Sequence, residues 1–239
     1  MRWLMNLIIL FDGDFTGDTR VRLQGRRQAH VLSVHRAQVG ETLRVGLLNG
    51  QLGTGRIVTL NGDTLEMDVT LHQAPPAPLP LTLLLALPRP KSLKRLLQAV
   101  TALGVKRIVL MNAWRVEKSF WESPVLQPET LREQMVLGLE QARDTILPEI
   151  TLRPRFKPFL EDEVPALIRE TRALLAHPPA PQPCPRDVRD AVTLAVGPEG
   201  GFIAYEVELL QAHGFEAVSL GERILRVEHV VPALLGRLF

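Results

Sequence analysis

The sequence predicts an α/β fold, a parallel sheet with helices on both faces, preceded by a small N-terminal β-barrel. Residues 1–73 alternate apolar and polar positions in short runs that end at turn residues, whereas residues 81–239 alternate short apolar strands with helices. Residues 74–80 read APPAPLP, a stiff and extended linker. We therefore predict a barrel in 1–73, a proline-rich linker in 74–80 and a second domain in 81–239.

The barrel prediction rests on two hairpin signals. The alternating runs TLRVGL and GRIVTL, at 42–47 and 55–60, lie beside Asn49-Gly50 and Asn61-Gly62. Asn-Gly between alternating strands is the strongest short hairpin signal, so we predict an antiparallel barrel. The opening MRWLMNLIILF is interpreted as its first strand, because Asp12 and Asp14 follow without the cleavage site of a secretory signal.

The second domain alternates strand and helix signals. Its predicted strands are 81–87, 107–111, 149–152, 173–176, 192–196 and 216–220. A helix over 92–103 has an apolar face and stops at Gly104, and a helix over 205–213 stops at Gly214. Thr130 and Glu133 predict a capping box at the start of a third helix. The proline-rich stretch 177–185 is predicted to be a long loop.

Composition excludes several classes of protein. The chain has 239 residues with 46% hydrophobic content, enough for a sizeable core. Its single cysteine, Cys184, excludes an internal disulfide and a multi-cysteine metal cage, and we predict a reducing, cytoplasmic location without a metal. No apolar run approaches the roughly 20 residues of a membrane span. A net charge of +2 carried mostly by arginine mildly favours a phosphate or nucleic-acid partner.

Two glycine turns follow predicted strands and are the candidate binding site. The first is AVGPEGGF at 195–202, and the second is LGERILRVE at 220–228. Ligands of open α/β sheets bind beyond the carboxyl ends of strands, and glycines there let a ligand approach the main chain. Without a lysine or a GxxxxGK spacing, a nucleoside fits better than a triphosphate, and carboxylates favour a positively charged cofactor group. The alternative is a pair of ordinary tight turns.

These motifs resemble a known family. GPEGG at 197–201, a helix with EVEL at 206–209, Gly214-Phe215 and LGERILRVE at 220–228 are similar to the C-terminal signature of the bacterial 16S ribosomal RNA uracil-N3 methyltransferases of the SPOUT superfamily. Residues 29–36 and 39–40 resemble its PUA-like barrel, and 103–105, 140–141 and 148–150 resemble its middle. The resemblance implies a trefoil-knotted fold, an S-adenosylmethionine cofactor, a homodimer with active sites at its interface and a uridine of the small ribosomal subunit as methyl acceptor.

The resemblance also implies roles for individual residues. The first implied cofactor loop comprises Gly197, Pro198, Glu199, Gly200 and Gly201, and the second comprises Leu220, Gly221, Ile224 and Leu225. Leu85 and Leu87 are implied to close the pocket. Arg226 matches the family arginine nearest the chemistry. Val227 and His229 replace two hydroxyl residues of the family pattern, which indicates a divergent branch.

A mechanism follows from the chemistry of uracil. Its N3 is a poor nucleophile while protonated, so the proton must be removed and the anion stabilised. We hypothesise that Arg226 stabilises the uracil oxygens and that Glu199, Glu228 or His229 supplies or orients a base. The alternative is an ion pair of Arg226 with Glu228 across a dimer, without a chemical role.

Two basic clusters are candidate RNA contacts. The first, on the barrel, comprises Arg20, Arg22, Arg26, Arg27, His30, His35 and Arg36, which would otherwise form a solvated face. The second, past a strand end, comprises Arg89, Lys91, Lys94 and Arg95, for which we favour RNA backbone contact. Trp114 and Trp121 could stack on a flipped base, but we favour a packing role.

Two other functions compete with uridine methylation. One is a ribosomal-RNA-binding protein that keeps the fold and the cofactor pocket but has lost the chemistry, as the replaced hydroxyls suggest. The other is a methyltransferase of the same fold that acts on another nucleotide, such as one in tRNA.

Overall fold

The computed structural model describes residues 7–32 and 37–239, which form two compact units. The first unit contains the chain up to Ala77 together with Val136–Leu147, and the second contains Pro78–Met135 and Pro148–Phe239. The return of 136–147 to the first unit was not foreseen from the sequence. Helix α4 (Pro128–Ala142) belongs to both units, because it crosses the boundary at 135/136 without a break.

The first unit is built on one five-stranded sheet. Its elements are β1 (Ile8–Leu10), β2 (Arg20–Leu23), α1 (Gly25–His30), β3 (Thr42–Leu47), β4 (Leu52–Leu60) and β5 (Leu65–Gln73), in the sheet order β1-β3-β4-β5-β2. Both predicted hairpins are confirmed: Asn49 adopts φ 59° between β3 and β4, and Asn61 Oδ1 accepts the Thr64 N–H at 2.8 Å between β4 and β5.

The prediction of a wholly antiparallel arrangement was wrong at one edge of this sheet, and one helix of the unit was not predicted. Strand β1 pairs with β3 in parallel. Because β2 and α1 lie between them in the chain, their connection is a crossover and not a hairpin. Helix α1 lacks an apolar periodicity long enough to be recognised. The core beneath the sheet has two clusters, and Val136 and Leu139 of α4 complete the one that contains Leu7, Ile9 and Leu52.

The second unit is a six-stranded, wholly parallel sheet, as predicted. Its strands are β6 (Leu81–Ala86), β7 (Arg107–Met111), β8 (Glu149–Arg153), β9 (Arg172–Ala176), β10 (Val192–Val196) and β11 (Glu216–Val218), in the order β11-β9-β10-β6-β7-β8. The last strand is shorter than predicted because Ser219 leaves the sheet. Its N–H donates to Gln182 O at 2.9 Å and its carbonyl accepts from Cys184 N–H at 2.8 Å.

Seven helices accompany this sheet or follow it in the described chain: α2 (Pro90–Ala102), α3 (Lys118–Trp121), α4, α5 (Phe156–Asp162), α6 (Val164–Leu167), α7 (Ala204–Ala212) and α8 (Val227–Leu238). Gly104 and Gly214 end α2 and α7 at φ +90° and +96°, as predicted. The capping box at Thr130 was wrong. Helix α4 begins at Pro128, whose fixed φ suits a first helical position, and the Gln127 carbonyl accepts from Leu131 N–H at 3.0 Å.

A single apolar cluster forms the core of the second unit. Strands β6 and β10 at its centre are buried at every position, and helices α2 and α8 pack against each other beside them. Among the residues that the structure describes, no helix is both long enough and apolar enough to cross a membrane.

Candidate functional site

A cavity of about 360 Å³ lies at the carboxyl ends of three neighbouring strands of the second unit. The last residues of β9, β10 and β11, namely Ala176, Val196 and Val218, all line it. They are adjacent in register, with Ala176 opposite both others. The parallel sheet thus brings the loops that follow these three strands to one place, including both glycine turns.

The first glycine turn, Gly197–Gly201, forms one wall. Gly201 adopts φ +71° and its N–H donates to Pro198 O at 2.8 Å. A Cβ on Gly197 would lie 3.1 Å from Phe202 N and 3.2 Å from Phe202 Cδ2. Glycine at 197 therefore avoids a tight contact with the main chain and ring of Phe202, and glycine at 201 favours the left-handed conformation.

The second glycine turn, residues 220–228, contributes another part of the lining. Gly221 adopts φ +105°, and Leu220, Gly221, Ile224 and Leu225 all line the cavity. Ile224 is 84% exposed and Leu225 is 41% exposed, so the end of this loop presents apolar side chains to the outside. Helix α8 begins at Val227 and contributes Val227, Val230 and Leu234 to the wall.

A third loop, which sequence reasoning treated only as a proline-rich connection, also lines the cavity. His177, Pro178 and Pro179 follow β9 directly, and the His177 N–H donates to Val218 O at 2.9 Å. Burial lowers the pKa of His177, which favours a neutral imidazole in the wall. These residues could have been predicted from their position directly after the buried strand β9, because β9 is the neighbour of β10, the strand that the GPEGG turn follows.

Arg115 is a second residue that the sequence did not indicate. It follows β7, lines the cavity, and its guanidinium donates to the carbonyl of Gly200. A Cβ on Gly200 would lie 2.9 Å from Arg115 Cδ, so the arginine stem occupies the space that the missing side chain leaves. Eighty-five residues separate this pair in the chain, and no local pattern predicts it.

The predicted cofactor residues fall into two groups. The nine in the glycine turns, Gly197–Gly201, Leu220, Gly221, Ile224 and Leu225, all line the cavity. Leu85 and Leu87 do not appear in the lining. Each is 1% exposed, and Leu85 lies opposite Val196 in the sheet, so these leucines belong to the core below the cavity.

The candidate catalytic residues lie around the start of α8. Arg226 is the exposed N-cap residue, and its carbonyl accepts the His229 and Val230 N–H groups at 2.9 Å each. A hydrogen bond from Ser92 holds the pKa of Glu228 below its usual value, and the positive charges of Arg226 and His229 lower it further. A carboxylate in this setting stays ionised and is a weak base.

Glu199 is tied to the start of helix α2. Its Oε1 accepts the N–H of Arg89, the N-cap residue of α2, at 3.0 Å, while the side chain remains exposed. Carboxylates are favourable at helix N-termini, so the structure gives Glu199 a positioning contact between the GPEGG turn and α2.

Four arginines of the predicted basic stripe on the first unit are paired with acids. Arg20 bonds Asp68 at 2.6 Å, Arg22 bonds Glu66 at 2.8 Å, Arg26 bonds both oxygens of Glu140 at 3.0 Å, and Arg27 bonds Asp14 at 2.5 and 2.8 Å. His30 is half-buried at the end of α1. His35 and Arg36 lie outside the described residues. The predicted stripe is therefore partly neutralised by its neighbours.

The basic residues of α2 differ from that group. Arg89, Lys91, Lys94 and Arg95 are exposed at the start of the helix, and none forms an ion pair with a residue in the described part of the chain. Glu199 and Glu228 bond the main chain of Arg89 and the side chain of Ser92, but neither forms an ion pair with the four cations, so these form a surface that suits phosphate groups.

The two candidate tryptophans have different surroundings. Trp121 is half-buried against the core, and its Nε1 donates to Asn112 Oδ1 at 3.0 Å, as a packing role requires. Trp114 is 78% exposed, so the packing prediction was wrong for it. Within residues 7–32 and 37–239, no group of three or more His, Cys, Asp or Glu side chains is arranged to hold a metal ion.

Comparisons with known proteins show what the chain is similar to. The family model described as the RNA methyltransferase domain matches residues 75–238, which include every residue that lines the cavity. The chain is 29% identical over 237 residues to the ribosomal RNA small subunit methyltransferase E of Treponema pallidum, covering 92% of this chain and 86% of the relative.

Two solved structures share the fold over nearly the whole chain. One is a ribosomal RNA small subunit methyltransferase E from Neisseria gonorrhoeae bound to S-adenosyl methionine, with a TM-score of 0.75, 23% identity, and coverage of 97% of this chain and 95% of that one. The other is a Legionella pneumophila protein in complex with the cofactor SAM, with a TM-score of 0.75, 24% identity, and coverage of 97% and 96%. The parallel sheet and its helices are therefore an established arrangement.

Proposed function

Because the chain belongs to the family of RNA methyltransferase domains, we propose that it methylates N3 of a uridine in the 16S ribosomal RNA of the small subunit, with S-adenosylmethionine as the methyl donor. The observation that carries this proposal is the cavity itself, in which three loops of a parallel sheet converge inside the segment that the family model matches. The names of the curated relatives support the small-subunit RNA as the substrate.

The cavity residues fit such a cofactor. Its volume of about 360 Å³ lies in the range of small-molecule sites, and its lining is mostly apolar with exposed main chain at the glycine turns. We assign the apolar walls at Ile224, Leu225 and Phe202, and the main chain of Gly197 and Gly221, to holding the nucleoside part. When bound, the cofactor supplies a methyl group made electrophilic by a sulfonium charge. The lowered pKa of His177 disfavours a second positive charge beside it.

The residues at the start of α8 are proposed to prepare the uracil. Arg226 is exposed and stands between the lining residues Leu225 and Val227, and we assign to its guanidinium the stabilisation of negative charge on the uracil oxygens after N3 loses its proton. Glu228, whose pKa is lowered, stays ionised and orients Arg226 and His229 instead of taking the proton. We assign proton acceptance to His229, and the helix-anchoring contact to Glu199.

Several wider properties belong to the same proposal. We propose a homodimer in which the second copy covers the exposed Ile224 and Leu225, a trefoil knot supported by the strand order β11-β9-β10, and a PUA-like, RNA-binding role for the first unit. Contact between the RNA backbone and Arg89, Lys91, Lys94 and Arg95 is supported by their exposure. A cytoplasmic location follows from the substrate.

The proposal is tested by methyl transfer. The purified protein is incubated with labelled S-adenosylmethionine and small ribosomal subunits from a strain that lacks the modification, and the RNA nucleosides are separated. We expect label in 3-methyluridine. Label in another nucleoside would redirect the proposal to that base, and absence of label with confirmed cofactor binding would favour a protein that only binds RNA.

Variants of Arg226 test the mechanism in the same assay. We expect Arg226→Ala to lose methylation while cofactor affinity stays unchanged, whereas Arg189→Ala, which removes an exposed arginine outside the cavity, retains activity. Full activity of Arg226→Ala would remove this residue from the mechanism.

A further inference from the structure

A short turn beside the cavity presents a tryptophan and an arginine. Residues 113–116 form a turn in which the Val116 N–H donates to Ala113 O at 3.0 Å. The two ends of the turn are buried, with Ala113 2% and Val116 8% exposed, while the two central side chains are exposed. The core therefore anchors the turn at both ends, and Trp114 and Arg115 extend from it.

The backbone of this turn is fixed to the cavity loop at two points. Glu206, 3% exposed in the first turn of α7, accepts the Trp114 N–H at 2.6 Å and the Ile203 N–H at 3.0 Å. The Arg115 guanidinium binds the Gly200 carbonyl from the other side. A buried carboxylate and a cavity-lining arginine thus hold the main chain of Trp114 in place, although its side chain is 78% exposed.

A tryptophan held in this way is suited to stacking. A large aromatic side chain gains free energy when it is covered, and a fixed backbone with two side-chain torsions loses little entropy when a partner arrives. Uracil N3 lies on the Watson–Crick edge, so any RNA methylated there must present an unpaired base to the enzyme. Unpaired bases have free aromatic faces, and a tryptophan face binds them irrespective of sequence.

We propose that Trp114 stacks on an unpaired base of the RNA substrate at the mouth of the cavity. This inference rests on the proposed function and specifies how the same site takes its substrate. Arg115 acts as a positioning residue, because it fixes the turn against Gly200. Glu206 is a second positioning residue, because it holds the Trp114 main chain.

The charges near Trp114 favour RNA over a second protein surface. Arg115, Glu117 and Lys118 are all exposed in the same segment, which leaves it one net positive charge. Gly200, which Arg115 binds, follows Glu199, and Glu199 binds the N–H of Arg89 at the start of the basic helix α2. Two hydrogen bonds, from Arg115 to Gly200 and from Arg89 to Glu199, thus connect the segment of Trp114 with the start of helix α2, whose exposed cations suit a polyanion.

The test compares two probes that differ only in their bases. Binding of a 12-nucleotide oligouridine and of an abasic 12-mer with the same backbone is measured by fluorescence anisotropy for wild type, Trp114→Ala and Trp114→Phe. Leu103→Ala, which removes an exposed apolar side chain at the end of α2, is the matched control. Cofactor affinity, methyl transfer and mass in solution are measured on the same preparations.

We expect Trp114→Ala to weaken oligouridine binding about 5- to 150-fold, the range of one base stack, with Trp114→Phe in between and Leu103→Ala unchanged. The abasic probe should bind wild type and Trp114→Ala equally, because only the base contacts the ring. Cofactor affinity should not change, since Trp114 does not line the cavity.

The other outcomes overturn the proposal and separate it from the proposed function. Equal oligouridine binding by wild type and Trp114→Ala refutes stacking, even where both methylate RNA. A Trp114→Ala protein of lower mass in solution assigns the ring to a subunit contact. A wild type that binds oligouridine through Trp114 without transferring methyl leaves stacking intact and refutes the proposed reaction.

Discussion

Replacing Glu206 tests whether one buried carboxylate holds the cavity loop together. The carboxylate is 3% exposed and accepts two main-chain N–H groups, from Trp114 at 2.6 Å and Ile203 at 3.0 Å. In Glu206→Gln one oxygen becomes an NH₂ group, so one N–H loses its acceptor and faces a donor. Hydrogen bonds to a charged group contribute about 1.5–3 kcal/mol each, and an unsatisfied buried donor carries a penalty of similar size.

From these values we expect Glu206→Gln to lower the free energy of unfolding by about 2–4 kcal/mol. For a chain of this length that corresponds to a Tm lower by about 5–15 °C. The assay is thermal and urea unfolding followed by circular dichroism. Glu208→Gln makes the same chemical change at an exposed position of the same helix, and its stability should stay within about 0.5 kcal/mol of wild type. A Tm of Glu206→Gln within 1 °C of wild type would refute the role of this carboxylate.

Three further predictions follow from the site and its surroundings. Gly221→Ala forces a side chain into φ +105°, so it should destabilise the chain by about 1–2 kcal/mol and weaken cofactor binding. Gly236→Ala lies inside α8 with no atom within 4 Å of the new Cβ and should stabilise the chain by about 0.5–1 kcal/mol. Urea unfolding measures the stability of both variants and calorimetry their cofactor affinity, and equal effects would contradict the reasoning. Burial lowers the pKa of His177 in the folded chain, so between that lowered pKa and the ordinary value of 6.5 only the unfolded chain takes up the proton. The free energy of unfolding is therefore highest above pH 6.5 and falls as the pH drops below it. His177→Gln should flatten that fall in a series of unfolding curves at different pH. Charge reversal in Lys94→Glu/Arg95→Glu should weaken RNA binding and reduce the slope of log K against log salt by about 1.4, two single-strand phosphate contacts; an unchanged slope excludes these side chains from the RNA surface.

Local patterns were sufficient to predict the six strands of the second unit, but not its helices α3, α5, α6 and α8. Strands 107–111 and 192–196 were located with the observed bounds, because each is a short apolar run that ends at a polar or glycine residue. The glycines at 104 and 214 marked helix ends correctly, since a left-handed residue is required there. At Thr130 the capping pattern misled, because Pro128 two residues earlier was a stronger start signal.

Long-range contacts were beyond reach of the sequence. The acids that pair with Arg20, Arg22 and Arg26 lie 48, 44 and 114 residues away, so these arginines were interpreted as a candidate RNA contact or a solvated face. The same limit hid Arg115, whose partner is Gly200, and the parallel pairing of β1 with β3. The glycine turns were identified because their signal is local, whereas His177 reaches the cavity only through the strand order.

The discontinuous first unit has a consequence for how the chain is made. Leu7, Ile9 and Leu52 share a core cluster with Val136 and Leu139, and the main chain of Asn49 donates to Thr145 O at 2.8 Å. During synthesis from the N-terminus, the core of the first unit therefore cannot be completed until the chain has been made as far as residue 147. By then β6, α2 and β7 have already emerged from the ribosome. The N-terminal unit therefore cannot complete one of its two core clusters as an independent N-terminal domain. A cut at the proline-rich linker would separate Leu7, Ile9 and Leu52 from Val136 and Leu139 and expose both halves of this cluster.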